Sequence, residues 1–247
     1  MNGYDSIQIK MDWQELQKIL IESEYHYFHT DKGVMLLGDC IEIMKDLPDK
    51  SVDLILTDPP YALGKEYDVY EDTEENLKSL IGEFMPQALR VSKAMLLTCG
   101  LTNISLYPPP RWILAWIYRT TNSRGKWGFA QWQPVLAYGV DPYLREGLGA
   151  RSDVIEATGL DNQSYDHPCP KPLKFWEKLL LRGSPKEEEI VLDPFGGTGV
   201  TAVACEKHDR RWICVEISER YCEITQERVL GRDKYQRSLE EFLIWNL

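Results

Sequence analysis

The 247-residue sequence predicts an α/β domain on a mostly parallel sheet, and three observations carry that prediction. Short apolar runs suited to strands alternate with amphipathic stretches suited to helices through most of the chain. One run, Val52-Asp53-Leu54-Ile55-Leu56-Thr57, is nearly continuous in apolar or β-branched residues, as strands covered on both faces are, and it stops abruptly at Asp58-Pro59-Pro60-Tyr61. Near the C-terminus, Ile190 to Leu192 runs into Asp193-Pro194-Phe195-Gly196-Gly197-Thr198-Gly199, and a helical pattern begins directly afterwards.

In chain order, Met11 to Phe28 places Trp13, Leu16, Ile19, Leu20, Tyr27 and Phe28 at roughly helical spacing, which predicts an accessory amphipathic helix within residues 1–33. Val34 to Leu37 reads as a strand ending at Gly38-Asp39-Cys40, and a short helix from Ile41 to Leu47 is stopped by Pro48. The Asp58 strand comes next, so two strands and the helix between them form a βαβ unit. Tyr61 to Tyr70 reads as a loop, Asp72 or Thr73 can cap a helix reaching Val91, and Lys93 to Thr98 is a further strand. After Pro108-Pro109-Pro110, Trp112 to Tyr118 and Gln133 to Tyr138 read as the two arms of a hairpin. Trp112, Trp116, Trp127 and Trp132 are expected to pack in the core or hairpin.

Gly139 to Tyr165 carries four glycines and weak periodicity, so no regular structure is predicted there. Pro172 to Arg182 is a helix with Leu173, Trp176, Leu179 and Leu180 on one face. Val200 to Lys207 reads as a helix, Trp212 to Val215 as a strand ending at Glu216, and Ser218 to Leu230 as a helix capped by Ser218. Residues 231–247 are expected to form a helical tail.

Composition narrows the class. No apolar run approaches the roughly 20 residues a membrane-spanning helix needs, and Met1 to Lys10 lacks a signal pattern, so a cytoplasmic, membrane-free protein is expected. Six scattered cysteines without a Cys-x-x-Cys pair point to neither zinc nor a disulfide framework, and no metal is expected. The net charge of −11 opposes phosphate binding by the chain as a whole. From Leu101 to Arg151, however, six basic residues stand against Asp141 and Glu146, a local balance of +4. Arg119, Arg124, Lys126, Arg145 and Arg151 are the resulting candidates for contact with nucleic acid.

The motifs define the chemistry. Glycines between a strand and a helix let a ligand approach the backbone, and helix-terminal amides remain able to donate. Glu216, 19 residues beyond Gly197, ends the next strand, where a carboxylate can take both hydroxyls of a ribose. A dinucleotide site has the same outline. Asp193 would repel a pyrophosphate, whereas it suits the cationic methionine end of S-adenosylmethionine. Asp58 and the turn carbonyls beside Tyr61 form a rigid acceptor cluster next to an aromatic ring.

Together these motifs resemble those of the class I, S-adenosylmethionine-dependent DNA amino-methyltransferases, and the resemblance extends from about Val34 to Leu230. It implies a Rossmann-like fold with a mostly parallel seven-stranded sheet, an antiparallel hairpin and a circularly permuted motif order, that of the family's β group. It further implies a catalytic half at 34–138, a small target-recognition region at 139–165 and a cofactor half at 166–230. Asp58, Pro59, Pro60 and Tyr61 resemble the catalytic loop. Asp193, Phe195, Gly196, Gly197, Thr198 and Gly199 resemble the cofactor loop, Glu216 the ribose acid, and Asp39 with Cys40 the adenine-reading segment. Asp166 to Pro172, with Lys171, resembles the segment flanking the methionine moiety.

The resemblance implies double-stranded DNA as partner, a restriction-modification or related role, and allows a homodimer. The expected reaction methylates N6 of a flipped adenine. Cytosine N4, and a cofactor-binding subunit without activity, are the alternatives.

Overall fold

The structure, a computed structural model, describes residues 11–65, 69–118, 127–157 and 171–232, together with the backbone of 124–125. Arg119, Lys126, residues 158–165 of the expected recognition region, Asp166 to Pro170 and the expected tail from Asp233 onward lie outside the described residues.

The elements run α1 (Trp13–Glu22), β1 (His26–His29), β2 (Gly33–Leu37), α2 (Cys40–Asp46), β3 (Val52–Thr57), α3 (Glu74–Val91), β4 (Ser92–Thr98), β5 (Trp112–Ile117), β6 (Arg124–Gly125), β7 (Gly128–Phe129), β8 (Trp132–Gly139), α4 (Pro142–Arg145), β9 (Val154–Glu156), α5 (Leu173–Gly183), β10 (Ile190–Asp193), α6 (Val200–Lys207), β11 (Arg211–Glu216) and α7 (Glu219–Val229). One mixed sheet has the order β1-β2-β11-β10-β3-β4-β8-β5-β9, and β6 pairs with β7 apart from it. None of the described helices is long and apolar enough to cross a membrane.

The main sheet has nine strands where seven were expected, and both additions come from segments read differently in the sequence. Tyr27 and Phe28 continue the helical spacing of α1, but the helix stops at Ser23, whose hydroxyl bonds the Leu20 carbonyl. His26–His29 then pairs antiparallel with β2. The expected N-terminal helix is therefore a helix followed by an edge strand. At the other edge, Val154–Glu156 adds to β5 in parallel, inside the stretch for which no regular structure was predicted. Only Ile155 of its three residues is buried, so the hydrophobic pattern is too short to register in sequence.

The central strands are covered on both faces, which explains their continuous apolar character. Ile55, Met95, Leu192 and Ile213 join one core with α1, α2 and α3. Leu54, Leu56, Leu96, Val191 and Trp212 join the other, with α5 and α6. All six residues of β3 are buried. Each of its large aliphatic side chains contributes about 1.5–3 kcal/mol on burial. Asp53 is tolerated there because Lys93 Nζ approaches to 2.5 Å and the Ile190 amide donates at 2.9 Å.

The parallel pairings of β2 with β11, β11 with β10, β10 with β3, and β3 with β4 align five carboxyl ends at one sheet edge. Asp39, Asp58, Glu216 and the 193–199 turn therefore meet at that edge, although as much as 177 residues separates them in sequence.

Candidate active site

Asp58 leaves β3 with its side chain 19% exposed and stands at the end of a cleft. Its Oδ1 accepts hydrogen bonds from the hydroxyls of Tyr61 and Thr98, both at 2.5 Å, and the Lys171 ammonium donates to Oδ2. Lys171 also lies 5.0 Å above the Tyr61 ring. Burial and the adjacent carboxylate push the Tyr61 phenol well above its ordinary range, so the hydroxyl keeps its proton and donates. Burial beside Asp58 likewise raises the Cys99 thiol to about 12. Two further side chains fix Tyr61: Gln133 at the start of β8 donates to its hydroxyl, and Asn103 Nδ2 donates to its carbonyl at 2.6 Å. Pro59 is buried, while Pro60 lines the cleft.

The loop after Tyr61 is gathered by Asp72. Its buried carboxylate accepts from the amides of Ala62, Leu63 and Lys65 at 2.7–3.1 Å, while Thr73 caps α3. The two candidate caps thus divide the work.

At the other end of the cleft the backbone takes over. Glu216 Oε2 accepts from the Gly197 amide at 2.8 Å, and Oε1 accepts from the amides of Ile217 and Ser218, each at 2.9 Å. A Cβ on Gly196 would press on Cys214 and the Val215 carbonyl at 3.2 Å. Gly199 has φ +77°, and a Cβ there would meet Thr225 at 2.4 Å, so a side chain is excluded twice over. Asp39 caps α2 through the Ile41 amide at 2.7 Å and also lines the cleft, so the cap and the cleft wall are one residue. Cys40, Phe195, Gly196, Gly197 and Thr198 line it too. Phe195 packs edge-on against Phe84 with centroids 5.1 Å apart.

Asp193 joins the two ends. Its carboxylate is 2% exposed and is held by the hydroxyls of Thr57 (2.7 Å) and Thr201 and by the Phe195 amide (3.1 Å). Burial raises it to about 6 in spite of those donors. The side chain is directed into the fold at the cleft floor, tying β3 to β10 and α6.

The basic candidates separate. Arg145 faces Glu146 at 3.2 Å and Glu189 at 3.5 Å, whereas Arg151 is exposed and covers the Tyr143 ring at 4.5 Å. The backbone of Arg124 lies in β6, on the connection between β5 and β8. Of the four tryptophans expected to pack, only Trp116 does so fully, stacked on Phe175 with centroids 3.8 Å apart. Trp112, Trp127 and Trp132 are exposed, Trp127 completely; Trp127 and Trp132 lie at or near the connection between β5 and β8, and Trp112 starts β5, where its indole donates to Asp153 at 3.0 Å.

Sequence reasoning missed Thr98, Asn103 and Gln133. Thr98 carried a signal, since it ends an apolar strand parallel to the Asp58 strand at the same edge. Gln133 carried none, because its contact with Tyr61 depends on the β4–β8 pairing.

A carboxylate edge, a glycine-rich strand–helix turn and an acid ending the next strand give an α/β domain the outline of a nucleoside-cofactor site. Comparisons with known proteins narrow this. Residues 118–227 match the family model described as a DNA methylase of the N6_N4_Mtase type. The chain is 27% identical over 264 aligned residues to the type II methyltransferase M.BamHI of Bacillus amyloliquefaciens, covering 86% of this chain and 60% of that protein. Its fold resembles the solved cytosine-N4-specific PvuII DNA methyltransferase, with TM-score 0.62, 17% identity and coverage of 81% and 86% of the two chains. It also resembles the M1.HpyAVI–SAM complex, with TM-score 0.58, 22% identity and coverage of 79% and 98%. The matching family model and these relatives support an S-adenosylmethionine-dependent DNA amino-methyltransferase, without deciding between adenine N6 and cytosine N4.

Proposed function

We propose that the protein transfers a methyl group from S-adenosylmethionine to the N6 amine of a flipped adenine in double-stranded DNA. The observation that carries this reading is the position of Asp58 in the wall of the same cleft that Asp39, Gly196, Gly197 and Glu216 line. The two ends fit the two substrates: a glycine-rich strand–helix turn with two carboxylates beside it suits a nucleoside, and the Asp58 cluster suits an amine. When bound, the cofactor supplies an electrophilic methyl group.

The chain's own residues do the rest. Glu216 takes the ribose hydroxyls and Asp39 reads the adenine, while Cys40, Phe195 and Thr198 enclose the cofactor. Asp58 and the Pro59 carbonyl accept the two amino hydrogens, which draws the nitrogen toward tetrahedral geometry and aims its lone pair into the cleft. Tyr61, held at its hydroxyl by Gln133, stacks on the base. Flipping costs a few kcal/mol, offset by these interactions. DNA phosphates are assigned to Arg119, Arg124, Lys126 and Arg151, with bases read from residues 139–165. Arg145, engaged by Glu146 and Glu189, supports this surface from within.

The catalytic loop precedes the cofactor loop, which we assign to the permuted β-group order of catalytic half, recognition region and cofactor half. A cytoplasmic role in restriction-modification, as a monomer or homodimer, accords with this reading. The Asp-Pro-Pro-Tyr form of the loop favours adenine, and the structural likeness to a cytosine-N4-specific enzyme gives cytosine as the second reading.

The test is to methylate DNA with labelled cofactor, digest it to nucleosides and identify the product. N6-methyladenosine is expected, as its deoxy form. N4-methylcytosine would transfer the same mechanism to the other base, and no methylated amine would overturn the reading.

A further inference from the structure

An ionised carboxylate offers about four acceptor positions, and the described residues fill three of those on Asp58. Tyr61 and Thr98 occupy Oδ1, and Lys171 occupies one position on Oδ2. The remaining position is on Oδ2. From this geometry we infer that Thr98 and Lys171 are positioning residues for methyl transfer, which hold Asp58 so that its one remaining acceptor position receives the target amine. The inference rests on the amine-methylation reading and adds the residues that orient its catalytic carboxylate.

Both are built for the task. Thr98 is fully buried at the end of β4, where the pairing of Leu97 with Thr57 fixes its height beside the Asp58 turn. A β-branched side chain in a strand has little rotamer freedom, so its hydroxyl is aimed before any substrate arrives. Lys171 precedes α5 and leaves only 7% of its side chain exposed. A buried ammonium needs a charged partner, and Asp58 is that partner.

The two differ in charge. Thr98 orients Asp58 without altering its charge, whereas Lys171 orients it and also cancels the negative charge that Asp58 would present to a sulfonium in the cleft. Removing Lys171 should therefore change the preference between S-adenosylmethionine, which carries that cation, and neutral S-adenosylhomocysteine. A loss of packing alone would weaken both ligands together.

The test uses the full chain with Thr98→Val, Thr98→Ser, Lys171→Met and Lys171→Arg. Turnover, both KM values and the dissociation constants of the two cofactor forms are measured. Thr98→Val should lower kcat by about 10- to 100-fold while each KM stays within about threefold, and Thr98→Ser should recover most of the rate. Lys171→Met should lower kcat at least as far and shift the binding ratio toward S-adenosylmethionine by about three- to tenfold. Thr98→Val and Lys171→Arg should leave that ratio at the parent value. Thr98→Val is nearly isosteric, so it decides the matter even if Lys171→Met does not fold. Parent-like kcat for Thr98→Val in an active parent would overturn the inference alone. A parent that binds neither cofactor form would overturn the amine-methylation reading and the inference with it.

Discussion

The cleft has a carboxylate at each end, and the two are held in opposite ways. Glu216 is fixed by backbone amides of its own turn and of the glycine loop beside it. Asp58 is fixed by side chains of Tyr61, Thr98 and Lys171, the last two 40 and 113 residues away. Backbone capture depends on the local path of the chain, so most changes of side chain leave it intact. Side-chain capture depends on the whole sheet being assembled, and single substitutions can dismantle it. The end that would hold a cofactor is thus robust, and the end that would perform chemistry is adjustable.

The sharpest way to separate the ends is Asp58→Ala. Methyl transfer should fall by at least about a thousandfold, equivalent to roughly 4 kcal/mol, while calorimetric cofactor affinity stays within a few-fold of the parent. A matched loss of binding would show that the two carboxylates are not functionally distinct.

Asp193, which ties the ends together, should register in stability. Its folded-state value is raised to about 6, so its favourable contribution is complete below about pH 4 and is lost as pH rises through about 6. Relative to Asp193→Asn, the parent should lose about 2 kcal/mol between pH 4 and pH 7 in denaturant titrations. An unchanged difference across that window would mean that Asp193 is ionised without penalty.

Glu216→Ala should weaken binding of S-adenosylmethionine and S-adenosylhomocysteine alike, by about 1–3 kcal/mol. Unaltered affinity would place the ribose elsewhere. The smallest effect is expected away from both ends. Replacing Arg119, Arg124 and Lys126 with Ala should leave cofactor affinity alone and lower the log–log salt slope of DNA binding by up to about 2.7, about 0.9 for each phosphate left without its cation. Fluorescence anisotropy at several salt concentrations reads that slope, and an unchanged value would move the DNA surface to residues 139–165.

The same contrast explains what could be read from the chain. The strand at Val52–Thr57, the proline turn and the glycine loop are local patterns, and each appears where its sequence indicated. Glu216 was legible for that reason, as was the α6 helix that starts immediately after Gly199. His26–His29 was not, because Tyr27 and Phe28 fit a helix period until β2 offers a partner. Lys171 was attributed to the methionine end of the cofactor, and its partner in the structure is Asp58, an ion pair made only when α5 packs beneath β3 and β4. Thr98 and Gln133 carry no motif of their own; they gain roles from sheet order.

The most direct test of the division between the two ends is single-turnover methyl transfer at saturating S-adenosylmethionine, measured side by side for the parent, Asp58→Ala and Glu216→Ala. Glu216→Ala should approach the parent rate once the cofactor site is filled, and Asp58→Ala should remain at least about a thousandfold slower at any cofactor concentration. Transfer by Asp58→Ala near the parent rate would contradict the assignment of Asp58 to the amine.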